Sequence, residues 1–392
     1  MRILQAANFV APHSGGIKTM LNHLAEGYAT AGHEVVMLIP GERNRTTARP
    51  FGRLVEIAAP QVPMTGGYRM ITRWNAVEDV LAAVGPDRVE VSDRFTLSRI
   101  GPWARARGIP SVVFSHERLD AILRFHLGRV MPTRRIADGW NRRLASSFDT
   151  VVCTTRWAAG EFIRIGTRNL AHVPLGIDVD EFHPSRRDLA VRSEMARGAD
   201  AVLLVAVRLS PEKRPDLLIP MVEELLRREV NVRLVVCGDG SVRDMVTEQA
   251  FGLPVTMAGF VGDRERLATM LASADVVVAP GPYETFGLAA LEAMACGTPV
   301  VASSSGALPE LVRNGAGRTA PSDPVAMADA VVDLLRAGPP VRVAARRRAQ
   351  AYSWDATVAG MLRLHGASAE VTTRMTGPRL TASTRHGHNW AT

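Results

Sequence analysis

Glu284 and Glu292 stand with seven residues between them in P-Y-E-T-F-G-L-A-A-L-E, residues 282–292. If Leu288 to Ala295 is helical, Glu292 lies within its first two turns, on the side facing back toward the preceding loop. The free N–H groups of Gly287 and Leu288 at such a helix start suit an anion or sugar hydroxyls. For Glu284 taken alone, partnering the helix dipole is an equally good account. A second pair is cationic. Arg208 and Lys213 follow the apolar run Ala201–Val207, and two such groups at a strand end can clamp a diphosphate and neutralise a leaving nucleotide. Lysine occurs in this chain only at Lys18 and Lys213, whereas the other basic residues are Arg. His116, in F-S-H-E-R-L-D, directly follows the run Ile109–Ser115. The carboxyl end of a strand is where open α/β sheets bind ligands, although a structural His is the ordinary alternative. Gly15-Gly16 precedes a helix and would let backbone N–H groups approach a ligand, unless it is only a tight turn.

These groups need strands and helices to hold them. Val276–Ala279 reads as a buried parallel strand, Ala289–Cys296 as a helix stopped by Gly297-Thr298-Pro299, and Val300–Ala302 as the next strand. At the other end, Met1–Ala7 reads as a strand, Ile17–Ala31 as a helix and Val35–Ile39 as a second strand. The connecting loop is not G-x-G-x-x-G, so a dinucleotide site is not indicated. Residues 41–67 read as irregular, and Tyr68–Val84 as an amphipathic helix. Val232–Val236 and Val255–Phe260 are further strands, and a last helix runs from Ser353 to about His365. Alternating strands and helices in both halves predict an α/β fold of two doubly wound, Rossmann-like domains. The expected division is 1–182, completed by the helix 353–365; a polar linker, 183–200; a second domain, 201–350; and a disordered tail, 367–392.

Composition narrows the class. The chain has 392 residues, enough for two full cores, with 46% hydrophobic residues and only three Cys. Cys153, Cys237 and Cys296 sit in apolar runs without C-x-x-C spacing, which predicts free thiols in a reducing cytoplasm and no metal or redox site. No apolar run approaches ~20 residues, and no signal-peptide pattern opens the chain. The net charge of +8 suits an anionic partner or simple solubility, and no nucleic-acid motif accompanies it. Arg118 to Arg143 interleaves Arg with Leu, Phe and Trp140. That mixture is either a solvated face over a packed stripe or a surface for anionic lipid.

The string E-x-F-G-L-x-x-x-E followed by C-G-T-P-V-V-A-S resembles the donor-sugar signature of retaining GT-B glycosyltransferases of family 4. R-L-S-P-E-K resembles the family's G-R-L-x-x-x-K-G, with Val207 and Arg214 at the two Gly positions. The stretches N-F-V-A-P-H-S-G-G, V-S-D-R-F-T-L, S-H-E-R-L-D and T-V-V-C-T-T-R resemble, more narrowly, actinobacterial mannosyltransferases of phosphatidylinositol mannoside synthesis. The resemblance covers about the first 365 residues. It implies a metal-independent retaining enzyme with two domains facing a cleft. The donor would be GDP-mannose and the acceptor an anionic glycolipid. Catalysis would fall to His116, Glu284, Arg208 and Lys213. The donor would be held by Gly15, Gly16, Val261, Phe286, Gly287, Leu288 and Glu292, with Glu292 on the ribose. Phe9, Tyr68, Arg69 and Arg118 would face the acceptor. The expected location is the cytoplasm, at the inner face of the plasma membrane. A soluble acceptor, or a binder of nucleotide sugars without catalysis, remain the alternatives.

Overall fold

Strands that are apolar without alternation must be covered on both faces, and the central strands here are buried along their length. The computed structural model describes residues 1–10, 15–63, 67–128 and 131–367. The chain divides into two units. Unit 1 is Met1–Pro174 together with the segment beginning at Trp354; unit 2 is Leu175–Ser353.

Unit 1 holds β1 (Arg2–Ala7), β2 (Glu34–Gly41), β3 (Arg45–Arg49), β4 (Gly52–Ala58), β5 (Arg88–Ser92), β6 (Ser111–Ser115), β7 (Thr150–Cys153) and β8 (Leu170–His172). They form one sheet in the order β3-β4-β2-β1-β5-β6-β7-β8. Every neighbour pair is parallel except β3 with β4. Unit 2 holds β9 (Ala201–Ala206), β10 (Val232–Cys237), β11 (Val255–Gly259), β12 (Val276–Ala279), β13 (Val300–Ser303) and β14 (Gly317–Ala320). Their order is β11-β10-β9-β12-β13-β14, parallel throughout. In each sheet the order reverses at a central strand, between β1 and β5 and between β9 and β12. Ligand loops belong at the carboxyl ends of such strands.

The structure corrects several expectations. Residues 41–67 are not irregular throughout, because β3 and β4 form a hairpin there. β3 is R-T-T-A-R, a polar edge strand without apolar alternation, tied by antiparallel pairing and by Arg45 to Glu56 at 2.7 Å. The helix expected from Tyr68 starts only at Trp74. The residues before it are held extended: Val62 N–H donates to the Tyr68 carbonyl at 2.8 Å and Met70 N–H to Pro60 at 3.2 Å. The stretch 183–200, expected as linker, contains the helix Leu189–Ala196. Asp188 caps it by accepting from Ala190 and Val191 N–H. The division falls after Pro174, not at residue 182.

The helix Trp354–Leu364 packs on the helix Gly16–Thr30 within unit 1. A Cβ on Gly27 would lie 2.4 Å from Val358 Cγ2, so only Gly allows the approach. Just beyond it, buried His365 Nε2 sits 2.7 Å from Glu90 Oε1, which also accepts from Tyr28 Oη; Glu90 Oε2 accepts from Gln5. In unit 2 the helix Pro339–Ala349 sends Arg346 to the carbonyls of Val179, Phe182 and Ala295, and Arg342 to those of Ala272 and Ala274. A planar guanidinium serves several carbonyls at once, as an ammonium does not. The three cysteines are free and buried, and burial pushes each thiol up to about 12. Among the described residues no helix is long and apolar enough to cross a membrane. The tail read as disordered lies, from residue 368, outside the described residues.

Candidate functional site

Unit 2 gathers the nucleotide-sugar candidates on two loops. After β9 the chain runs through Arg208 into a short turn, Pro211–Lys213. The loop after β10 braces it. A Cβ on Gly238 would lie 1.9 Å from the Val207 carbonyl, and one on Gly240 would lie 2.3 Å from that of Leu209. Leu209 N–H donates to the Asp239 carbonyl at 2.9 Å, and Val242 N–H to that of Leu209 at 3.1 Å. The departure from the family pattern at residue 214 has a definite geometry. Arg214 adopts φ 53° and ψ 47°, the left-handed region that favours Gly, and its guanidinium grips Asp216 at 2.9 Å.

The loop after β12 closes on this turn. A Cβ on Gly281 would stand 3.2 Å from Lys213 Cα, and Lys213 Nζ donates to Glu284 Oε1 at 2.5 Å. Both side chains stay about one-fifth exposed. Arg208 is half exposed, 3.7 Å from Glu212. The strand-loop-helix unit thus places a cation and a carboxylate side by side at adjacent strand ends. That is the combination needed to meet a phosphate and a sugar hydroxyl on one ligand. Glu284 is further fixed through its carbonyl, which accepts from Ala307 N–H at 2.8 Å.

Phe286 is buried with its ring edge-on to Tyr352. Gly287 then turns the chain into the helix Leu288–Ala295 at φ 90°, and a Cβ there would lie 2.2 Å from Leu308 Cδ2. Both the backbone angle and the space demand Gly. Glu292 is buried on that helix, 3.7 Å from Arg264, which is itself paired with Glu181 at 2.6 Å. Burial pushes the Glu292 carboxyl up to about 7, with Arg264 pulling it down and Glu181 pushing it further up. Val261 sits between β11 and the helix Arg264–Ser273, whose cap is Asp263. Arg264 and Glu181 were not foreseen, since nothing in D-R-E-R or D-E-F sets those residues apart from surface charge.

In unit 1, His116 follows β6 with its ring stacked on Phe114 at 5.4 Å. Its Nε2 is buried without a hydrogen-bond partner among the described residues, and burial, aided by Arg94, lowers the imidazole to about 4. The ring is therefore neutral near pH 7. Arg94, after β5, is buried and holds this loop. It donates to Ser115 Oγ at 2.6 Å, the Glu117 carbonyl at 2.5 Å, Asn141 Oδ1 at 3.2 Å and Glu161 Oε1 at 3.1 Å. Glu161 in turn accepts from Leu119 and Asp120 N–H at the start of the helix Leu119–Leu127. A fully bonded buried pair of this kind fixes geometry. Sequence reading passed over Arg94 and Glu161, because the partners lie 67 residues apart.

The remaining candidates are placed as follows. Gly15 precedes, and Gly16 begins, the helix Gly16–Thr30. Phe9 and Tyr68 pack edge to face at 6.2 Å. Arg69 is tied to the Ala59 carbonyl at 2.8 Å and to Glu42 at 3.1 Å. Arg118 pairs with Asp120 at 2.7 Å and lies over Trp157. Among the described residues no group of three or more His, Cys, Asp or Glu could hold a metal ion.

Residues 15–176 match a family model described as "Glycosyl transferase 4-like domain", and residues 200–337 one described as "Glycosyl transferases group 1". A GDP-mannose-dependent alpha-(1-6)-phosphatidylinositol dimannoside mannosyltransferase of Mycobacterium tuberculosis is 44% identical over 95% of this chain and 98% of its own. A D-inositol 3-phosphate glycosyltransferase of Mycobacterium avium is 31% identical over 89% of this chain and 88% of its own. Among solved structures, sucrose-phosphate synthase from Thermosynechococcus elongatus superposes with a TM-score of 0.76 at 21% identity, covering 93% of this chain and 98% of that one. At that identity the likeness concerns the fold, GT-B.

Proposed function

This chain belongs to the glycosyl transferase group 1 family with its 4-like partner domain, and from that premise we propose that it transfers mannose from GDP-mannose to a phosphatidylinositol mannoside. The geometric observation that carries the reading is the Lys213–Glu284 contact at 2.5 Å between two strand-end loops. It supports a site where one ligand presents phosphate and sugar together. The choice of GDP, mannose and lipid rests on the 44% identity, over nearly the whole of both chains, to an enzyme named for them.

In this reading Arg208 and Lys213 stabilise the departing GDP, the Gly15-Gly16 backbone assisting. Glu284 and the N–H groups of Phe286 to Leu288 orient the mannose, and Glu292 and Val261 hold the nucleoside. The bond from the anomeric carbon to diphosphate oxygen breaks as the acceptor oxygen bonds to that carbon from the same face. The acceptor proton passes to a phosphate oxygen. His116, neutral, supports the reacting face of the sugar. Protein cations carry the leaving-group charge, so no metal is required.

The lipid part has a surface to rest on. Leu127, Met131, Ile136 and Trp140 are exposed in unit 1, interspersed with exposed Arg124, Arg134, Arg135, Arg142 and Arg143. Each Arg near an anionic leaflet is worth about 1 kcal/mol, and salt screens it. The protein accordingly works at the inner face of the plasma membrane by reversible adsorption. A thermal-shift screen of nucleotide sugars should single out GDP-mannose. Turnover should follow with phosphatidylinositol mannosides in vesicles and fall at high salt. A preference for another donor, or efficient turnover of a water-soluble acceptor alone, would overturn the reading.

A further inference from the structure

Glu292 is 9% exposed, and its carboxylate makes no hydrogen bond to the side chains among the described residues. The cation beside it, Arg264, stands at 3.7 Å, beyond hydrogen-bond reach but within the range of a strong charge interaction. What holds Arg264 at that distance lies on its other side. Its Nε donates to Glu181 Oε1 and Oε2, each at 2.9 Å, and its Nη2 to Oε2 at 2.6 Å. The ring of fully buried Phe182 lies against the guanidinium, 5.0 Å from its centre. Glu181 is itself fixed, since its N–H donates to Asp178 Oδ1 at 2.8 Å, and the Phe182 carbonyl accepts from Arg346 at 2.9 Å. At its root Arg264 opens the helix Arg264–Ser273, which Asp263 caps. Nη1 is the arm left turned toward Glu292.

This arrangement supplies positive charge without occupying the carboxylate. A direct Arg fork would fill the lone pairs that a pair of neighbouring hydroxyls needs, and burial without a cation would leave the group a neutral acid. As an anion, a carboxylate accepts two hydroxyls side by side; as an acid it keeps a proton on one oxygen. Burial pushes Glu292 up to about 7, with Arg264 pulling it down and Glu181 pushing it up. The other titratable groups close by are Cys296 at the end of its own helix, Arg342 and Arg346 on the helix Pro339–Ala349, and Arg186. Arg342 and Arg346 are engaged by carbonyls, and Arg186 faces Glu265 at 3.9 Å. β12 and β13, packed on the same helix, are built of Val, Ala and Ser. We propose that Arg264 is a positioning residue: held off by Glu181, it keeps Glu292 an unoccupied anion that accepts both ribose hydroxyls of a nucleoside diphosphate. This rests on the reading above in which Glu292 holds the nucleoside.

The test is calorimetric titration of the full chain with GDP and with 2′,3′-dideoxy-GDP between about pH 6 and about pH 9. The probes share base and diphosphate, so their own titrations cancel in the ratio of affinities and only the ribose hydroxyls remain. In wild type the preference for GDP should rise with pH through about 7 and then level off. Arg264→Gln should move that midpoint up by about one pH unit, lowering the preference at neutral pH about fivefold and restoring it at the alkaline end. Glu181→Gln keeps an oxygen for Arg264 but removes a negative charge, so it should move the midpoint down. A merely structural loosening would change both variants in the same direction, and alkaline pH would not repair it. If Arg264→Gln fails to fold, the direction of the Glu181→Gln change decides. Unshifted profiles, shifts of one sign, or a loss that persists at the alkaline end would overturn the role of Arg264 alone. A wild type that binds the two probes alike, or neither, would sink the ribose reading and this inference with it.

Discussion

The two units handle charge in opposite ways. In unit 2 the reactive charges sit on short loops and stay partly exposed: Lys213 beside Glu284, and Arg208 at 3.7 Å from Glu212. In unit 1 the ion pair of Arg94 with Glu161 is almost wholly buried, and its bonds go to the protein's own frame. A charge meant for a ligand must be able to leave its partner. A charge meant to hold a loop must not. The difference teaches that removing the first kind should cost binding, and removing the second should cost the fold.

The largest effect should come from the buried pair. Arg94→Met leaves Glu161 without a counter-ion and should destabilise the protein by about 3–5 kcal/mol, read by denaturant unfolding. Adding Glu161→Leu should recover part of that loss, because the orphaned charge disappears. If Arg94→Met instead unfolds like wild type and only slows turnover, the contrast between the units fails.

Glu292 breaks the pattern in unit 2, since it is buried and only distantly paired. Its carboxyl keeps a proton up to about 7 in the folded protein, whereas in the unfolded chain it ionises near the usual carboxylate value. Between those values the folded state binds the extra proton, so stability falls as pH rises from about 4.5 to about 7. The full loss is on the order of 3 kcal/mol. Glu292→Gln should remove this slope, gaining stability over wild type at pH 8 and almost none at pH 4.5. Parallel curves at the two pH values would show that the site is wetter than its burial implies.

Lys213→Ala and Arg208→Ala should leave unfolding nearly unchanged and weaken GDP by about 1.5–3 kcal/mol each, roughly tenfold to a hundredfold, in calorimetric titration. Unchanged GDP binding in both would remove the diphosphate role. The smallest effect belongs to Arg214→Gly. Relief of the left-handed backbone should offset the lost Asp216 contact, for a net change within about 1 kcal/mol. A large loss of turnover would mean that the guanidinium itself reaches a ligand.

The same contrast explains what was legible in the residues alone. β12, its loop and the helix Leu288–Ala295 lie contiguously, with apolar runs, Gly and Pro marking each boundary, so their arrangement could be read off nearly as it stands. Lys213 and Glu284 could be named, but not their direct contact, because 71 residues separate them. β3 escaped because an exposed edge strand of Arg and Thr carries no apolar period. Trp74, at the start of the helix that was expected to begin at Tyr68, packs against the unit 1 core under the Arg99 guanidinium at 4.7 Å. Arg118 could be named as a cation, but not its contacts with Asp120 and the Trp157 ring, which only the folded unit brings to it.

The account turns on Glu284 reading the sugar, and calorimetric titration of Glu284→Gln with GDP and with GDP-mannose tests that most directly. GDP carries no sugar, so its affinity should stay within about twofold of wild type. GDP-mannose should lose whatever affinity it gains over GDP in the wild-type protein, about tenfold for one charge-assisted bond. Equal weakening of both ligands, or of neither, would contradict the assignment.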